Sequence, residues 1–360
     1  MTNERVENIQ SELEKNKINA LFVSSPVNIQ YLTGYSNFSR DEREAYLFVT
    51  KRSAALFTDS RYIEAVNKII PKNIKATIEK PVSKEINRII KRQKIKNVGF
   101  ESDLTYLEYK KFRSEIIAKF SLKENFIENL RQIKDETEIK KIKKACKLTD
   151  DAYSYVLKNI RMNMTEKELA WRIESYIKNR GSSVSFPTII AFGPNASIPH
   201  HITSNKKLAK GDEFIKIDFG AIVGGYCSDM TRTLLTKKST SRAKKVYETV
   251  LTAQKKALEY LKQKNPNGKK AYDIASKYIV SQGFNSIPHS LGHGIGIQVH
   301  ELPHLAKGVN EPLSDGMVFS VEPGIYIPNF GGVRIEDDVL LTDDGFEILT
   351  KSPKELTVIK

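Results

Sequence analysis

Two aspartates, a group of histidines and two glutamates are the residues of this chain best suited to chemistry. The aspartates lie in Phe214-Ile-Lys-Ile-Asp218-Phe-Gly-Ala-Ile-Val-Gly224-Gly225-Tyr-Cys-Ser-Asp229-Met-Thr-Arg-Thr-Leu234. That stretch reads as two apolar-rich strands joined by a Gly-Gly turn. With Gly224 and Gly225 as the turn, Asp218 faces Thr231. Asp229 is two residues from Thr231 and so shares a face with Asp218. Diagonal cross-strand neighbours sit roughly 7–8 Å apart, so the two carboxylates can meet. Buried side by side they repel and are costly. A divalent cation between them removes the conflict, since hard cations take oxygen ligands. Solvation of both on an open sheet face is the other reading the hairpin allows.

All six histidines fall in two windows. His200 and His201 lie in Ile198-Pro-His-His-Ile. His289, His293, His300 and His304 lie between Pro288 and His304, interleaved with Gly292, Gly294 and Gly296. Neutral imidazole is a metal ligand, a proton shuttle or a donor to an oxyanion. Four in so short a stretch are hard to explain by packing, and the glycines permit close backbone approach. Glu322 ends the buried-strand pattern Val318-Phe-Ser-Val-Glu322. Glu336, in Gly332-Val-Arg-Ile-Glu-Asp-Asp-Val-Leu340, reads as lying inside a strand, where Arg334 shares its face. By itself that pair is an ordinary surface ion pair. Together Asp218, Asp229, His293, Glu322 and Glu336 form four carboxylates and one imidazole. Such a set suits two divalent ions with bridging carboxylates and a water between them. Oxygen-rich ligation with one nitrogen favours Mn, Co, Fe or Zn, and ligand softness does not choose among them.

The elements that must position these groups follow from pattern and punctuation. A chain of 360 residues exceeds one average core, which predicts two domains. Residues 4–17 suit an amphipathic helix, 20–24, 46–50, 54–58 and 97–101 strands, and 61–70 and 83–92 helices, with a turn at 31–35. This alternation predicts a small α/β domain. Asp135 with Glu138 and Thr165 with Glu168 have capping-box spacing at the starts of two helices, the second ended by Gly181. A further helix is expected at 244–262, and strands at 184–193, 213–236, 317–327 and 332–342, an α+β arrangement around a curved antiparallel sheet. The N-terminus lacks the apolar core of a signal peptide, and no run approaches a membrane span. Two cysteines, Cys146 and Cys227, give no disulfide framework and suit a cytoplasmic setting. The net charge is +15, but its lysines are spread among glutamates, as in Glu138-Ile-Lys-Lys-Ile-Lys-Lys144. Scattering of that kind argues against a nucleic-acid surface.

The order Asp218-(x10)-Asp229, Gly292-His293-Gly-Ile-Gly, His300-Glu301, Val321-Glu322-Pro-Gly and Arg334-Ile-Glu336-Asp-Asp resembles the pita-bread metallopeptidases. Within them it is similar to the Xaa-Pro dipeptidases (prolidases) and Xaa-Pro aminopeptidases (aminopeptidase P). Leu21 to Tyr35, Thr58-Asp-Ser-Arg-Tyr62 and Leu130-Arg-Gln-Ile-Lys134 resemble the family's creatinase-like N-terminal domain and linker. The resemblance implies a creatinase-like α/β domain over 1–128 and a pita-bread catalytic domain over 129–360. It implies two divalent metal ions, manganese foremost with cobalt, zinc or iron as alternatives, on Asp218, Asp229, His293, Glu322 and Glu336. It implies hydrolysis of the Xaa-Pro bond by a metal-bridging hydroxide, with Glu322 exchanging the proton and His300 stabilising the tetrahedral intermediate. His200, favoured over His201, and His300 would contact substrate, and Arg334 would engage its C-terminal side. A cytoplasmic homodimer acting on peptides or dipeptides with proline second is expected. His289 and His304 are expected at the rim, and Cys227 beside the site without ligating. Hydrolysis of another small amide and a non-catalytic binding module are the competing readings. The second would require missing ligands, and none is missing.

Overall fold

The computed structural model describes residues 2–211, 213–237 and 239–359. It divides into two compact units, Met1–Arg131 and Gln132–Lys360.

The first unit runs α1 (Thr2–Lys15), β1 (Ala20–Val23), α2 (Pro26–Thr33), β2 (Tyr46–Thr50), β3 (Ala54–Phe57), α3 (Ile63–Asn67), β4 (Ile74–Thr77), α4 (Val82–Gln93), β5 (Asn97–Phe100), α5 (Tyr106–Glu115), β6 (Lys119–Leu122) and α6 (Glu128–Arg131). Its six strands form one sheet in the order β4-β3-β2-β1-β5-β6. β1 is central, parallel to β5 and antiparallel to β2. All four of its residues are buried, as expected of an uninterrupted apolar run covered on both faces. Two elements differ from the reading of the sequence. Most of the expected turn at 31–35 belongs to helix α2, which Ser25 caps at the N-terminus, Pro26 opens and left-handed Gly34 closes. The expected helix at 61–70 shortens to α3.

The second unit runs α7 (Glu136–Asn159), α8 (Glu166–Lys178), β7 (Ser183–Val184), β8 (Ile189–Phe192), β9 (Phe214–Phe219), β10 (Ala221–Val223), β11 (Tyr226–Cys227), β12 (Met230–Thr236), α9 (Ser241–Leu261), α10 (Gly268–Ser281), β13 (Gly292–Gly294), β14 (Glu301–Leu305), β15 (Val318–Val321), β16 (Gly324–Ile327), β17 (Gly331–Arg334), β18 (Asp337–Thr342), β19 (Gly345–Ile348) and β20 (Val358–Ile359). Both expected capping boxes are formed, at the starts of α7 and α8. α8 ends at Lys178, three residues before Gly181.

Strand alternation places the chemistry. On β9, Ile215, Ile217 and Phe219 enter one core with Tyr153 of α7 and Ile173 of α8. Phe214 enters a second core, with α9 and α10, on the other face. Lys216 and Asp218 share that second face by the two-residue period. On β17, Val333 joins the second core, so Arg334 points the other way. Asp218 pairs with Thr231 across β9 and β12, the register expected of the hairpin.

The hairpin is not one continuous ladder. It breaks at Gly220, and β10 and β11 leave the sheet β20-β12-β9-β8 to join β7. A Cβ on Gly220 would overlap the backbone carbonyl of Ser228, so only glycine allows this crossing. The expected strands 317–327 and 332–342 break in the same way. The chain passes between the sheet β14-β13-β15-β18-β19 and the ribbon β16-β17 at Glu322–Pro323 and again at Ile335–Glu336. Glu336 therefore lies between strands rather than inside one. No helix among the described residues is long and apolar enough to cross a membrane.

Gly220→Ala is expected to destabilise the protein by about 1–3 kcal/mol, the usual cost of forcing atoms into a filled space. Gly211→Ala, whose Cβ meets nothing within 4 Å, should have little effect. Urea unfolding of the two variants beside the parent checks both.

Candidate metal centre

Each carboxylate of the proposed set sits at, or just past, the end of a strand. Asp218 is near the end of β9, Asp229 precedes β12, Glu322 follows β15 and Glu336 separates β17 from β18. His293 is the middle residue of β13. The five side chains converge. Ligand atoms of Asp218, Asp229 and Glu336 lie within 4.8 Å of one another, as do those of His293, Glu322 and Glu336, and those of Asp229, His293 and His300. His293 Nε2 is 3.4 Å from Glu322 Oε1 and 3.7 Å from Asp229 Oδ2.

Supporting contacts reach the cluster from several elements. Thr231 Oγ1 donates to Glu336 Oε2 at 2.7 Å and accepts from Arg334 Nε at 3.0 Å. The Asp229 N–H donates to Asp338 Oδ2 at 2.9 Å. Ser320 Oγ accepts from the His293 N–H at 3.1 Å and reaches Glu322 Oε1 at 3.4 Å. Gln254, fully buried on α9, donates to the carbonyls of Val321 and Ile335, the residues before the two glutamates, at 3.1 and 3.2 Å. Arg232 is buried against the Asp337 carboxylate and the Glu336 carbonyl. Thr231 and Asp338 enter the reading of the sequence only as neighbours of the acids, and Gln254 and Arg232 do not stand out in it at all. A threonine in a strand and a glutamine in a helix look the same whether or not they support a site.

The electrostatics are those of charges short of partners. Burial, then repulsion from Glu336 and Asp218, raises the Asp229 carboxyl well above its usual range. Burial, then Glu322 and Asp218, does the same to Glu336. Glu322 is pushed up to about 8, chiefly by burial, although Arg334 opposes the shift. His293 is pushed down to about 3, by burial and then by the neighbouring His300, so its imidazole is neutral at physiological pH. Asp229 Oδ1 and Glu336 Oε1 are buried and have no hydrogen-bond partner in the protein. Natural proteins rarely leave such atoms unpaired. An acceptor-only carboxylate set with orphaned oxygens and one neutral imidazole fits hard or borderline divalent cations.

The cluster forms the polar end of a cavity of about 850 Å³, whose outer wall includes Trp171, Phe186 and Ile202. His200, His289, His300, His304 and Arg334 also line it. The His293 and His300 rings meet edge to face, 4.3 Å between centroids. His200 is exposed to the cavity; His201 lines it too, with its ring held 2.9 Å from the carboxylate of buried Glu166. Arg334 contacts the Asp218 carboxylate and donates from Nη1 to the Tyr326 hydroxyl at 2.9 Å and the Pro199 carbonyl at 3.3 Å. Tyr326 bridges onward to His289 Nε2 at 2.9 Å. Cys227 is buried, its Sγ 3.5 Å from the Ile297 carbonyl, and it does not line the cavity.

Comparison with known proteins agrees in extent and in kind. Residues 140–343 match metallopeptidase family M24, and residues 5–133 match the creatinase/prolidase N-terminal domain. The chain is 36% identical over 358 residues to an Xaa-Pro dipeptidase of Pyrococcus horikoshii, covering 98% of this chain and 99% of that one. It superposes on an Xaa-Pro dipeptidase from Bacillus anthracis with a TM-score of 0.93 at 34% identity, covering all of both chains. An X-Pro aminopeptidase from Thermotoga maritima superposes with a TM-score of 0.86 at 32% identity, covering 95% of this chain and 98% of that one.

Cation binding here must displace protons, because Glu322 at about 8 is mostly protonated at pH 7 in the metal-free protein. Calorimetric titration with Mn²⁺ in two buffers of different ionisation enthalpy should show release of about one proton or more at pH 7, shrinking as pH rises past 8. His293, already neutral, contributes none. Absence of release at pH 7 would contradict binding at these carboxylates.

Proposed function

Because the chain belongs to metallopeptidase family M24 and carries a creatinase/prolidase N-terminal domain, we propose that it is an Xaa-Pro dipeptidase working with two divalent metal ions on Asp218, Asp229, His293, Glu322 and Glu336. The observation that carries the reading is the convergence of four carboxylates, two of which, Asp229 and Glu336, keep a buried oxygen without a hydrogen-bond partner. When bound, two such ions polarise the substrate carbonyl and make a water nucleophilic at neutral pH.

The roles of the chain's own groups follow from where they stand. Glu322 lies 3.4 Å from Ser320 Oγ and from His293 Nε2. Once a cation has displaced its proton, the carboxylate stands where it can take a proton from water and return it to the departing proline nitrogen. His300 and His200 line the cavity and can donate N–H groups to the developing oxyanion. Burial lowers the pKa of His300, so its imidazole is a neutral donor. Lys167 and Arg334 are the permanent cations lining the cavity. Arg334 touches the carboxylate cluster, and we assign it the C-terminal side of the substrate. Proline has no amide N–H, so recognition falls to the carboxylate and to shape. Manganese as the working metal and a homodimer as the assembly belong to the same reading.

A second reading, an Xaa-Pro aminopeptidase, is favoured by one observation. The outer cavity is apolar and open, with Trp171 68% and Ile202 87% exposed, which offers room for residues beyond proline.

Metal-stripped protein resupplied with Mn²⁺ should hydrolyse Gly-Pro, and Asp229→Asn should lower kcat/KM by about a thousandfold or more, as loss of a group acting on the transition state does. Cleavage of Gly-Pro-Pro alone would select the aminopeptidase. Cleavage of neither by metal-loaded protein would overturn both readings.

A further inference from the structure

A lysine stands where the strand pattern calls for an apolar residue. Lys216 is on β9, flanked on both sides by paired strands, and its side chain is fully buried. Burying an amine there is costly unless polar atoms meet it. Two do: Nζ donates to the carbonyl of Ile198 at 2.6 Å and to that of Pro199 at 3.0 Å. The Pro199 carbonyl also accepts from Arg334 Nη1 at 3.3 Å. Nζ stands 5.5 Å from the centre of the Tyr326 ring, and the Tyr326 hydroxyl is tied to both Arg334 and His289. The two clamped carbonyls belong to the residues immediately before His200.

We infer that Lys216 is a positioning residue: it holds the carbonyls of Ile198 and Pro199 and so sets His200 at the cavity. The inference rests on the assignment of His200 to substrate in the proposed function. Its physical basis is reach. The segment carrying His200 follows a short 3-10 turn, Gly193–Ser197, and His200 itself is exposed, so packing does little to fix it. A donor rising from the rigid centre of the sheet fixes the backbone instead. Lys216 also shares a strand face with Asp218, so the strand that carries one carboxylate of the cluster also holds the loop opposite it. On this account Arg334 and Lys216 act on one carbonyl, and a substrate that draws Arg334 alters the hold on His200.

The test is a double-mutant cycle on the metal-loaded enzyme with Lys216→Met, His200→Ala and the pair. Lys216→Met should lower kcat/KM for Gly-Pro by roughly 10–100-fold, the scale of a misplaced group, with bound metal unchanged. In the His200→Ala background the same substitution should change kcat/KM by no more than about twofold, since residues acting through one another are not additive. Amide hydrogen exchange over 197–204 should quicken in Lys216→Met without substrate or turnover. Equal losses in both backgrounds, a fall in metal content, or unchanged exchange in that segment would overturn the inference. Full activity of His200→Ala would instead sink the role of His200 in the proposed function, while the exchange measurement would still decide whether Lys216 holds the loop. If Lys216→Met fails to fold, Lys216→Gln, which keeps an N–H donor with shorter reach, takes its place in the same cycle.

Discussion

Mutual repulsion among buried carboxylates is the constraint on which the catalytic unit depends. Asp218, Asp229, Glu322 and Glu336 meet in a space that excludes most water, and Arg334 is the guanidinium in contact with Asp218. A buried charge without a partner is strongly destabilising. Without cations the cluster relieves itself by holding protons, which is the meaning of the raised pKa values of Asp229, Glu322 and Glu336. A site built this way gives up stability in its empty state and recovers it when cations replace those protons.

Holding the acids together against that repulsion requires stiff surroundings. Gln254 joins the carbonyls before both glutamates to one helix. Asp337 is kept charged in spite of burial by Arg232 and Lys354, and the Arg232–Asp337 pair carries the Glu336 carbonyl with it. Farther out, buried Lys134 lies 3.0 Å from Glu301, the residue after His300. Apart from the Arg334–Asp218 contact, these ion pairs surround the cluster without entering it, and Asp229 Oδ1 and Glu336 Oε1 stay available. This arrangement preserves affinity for a cation, which pairing each acid with its own lysine or arginine would remove.

The strand breaks serve the same end. An acid in the middle of a ladder has a neighbour about 5 Å away on either side and a fixed direction, as Asp218 has between Thr231 and Ile189. At Asp229, Glu322 and Glu336 the chain has left, or not yet entered, the ladder, and the side chains can turn towards a common point. Gly220 permits one of these departures by allowing the backbone to pass the Ser228 carbonyl.

Several features were legible in the sequence because they are local. The Gly-Gly turn sets a register by counting, and Asp218 does pair with Thr231. The capping boxes at Asp135 and Thr165 satisfy backbone donors three residues away and need nothing else. The same local rules, applied to Ser25, Pro26 and Gly34 or to Thr105 and Glu108, would have found α2 and α5. The five residues of the candidate centre were singled out by type taken together, and His293 also by the crowding of four histidines between Pro288 and His304. What the sequence could not reveal is everything that depends on distance through space. A strand that changes sheets keeps its alternation, so the breaks at Gly220, Glu322–Pro323 and Ile335–Glu336 leave no periodic trace. Lys216, Gln254, Arg232 and Tyr326 are unremarkable in their own segments, and each gains its meaning from a partner between 8 and 120 residues away. Only the folded chain decides whether a polar side chain meets water or a buried carbonyl, because that depends on which segment the core brings opposite it.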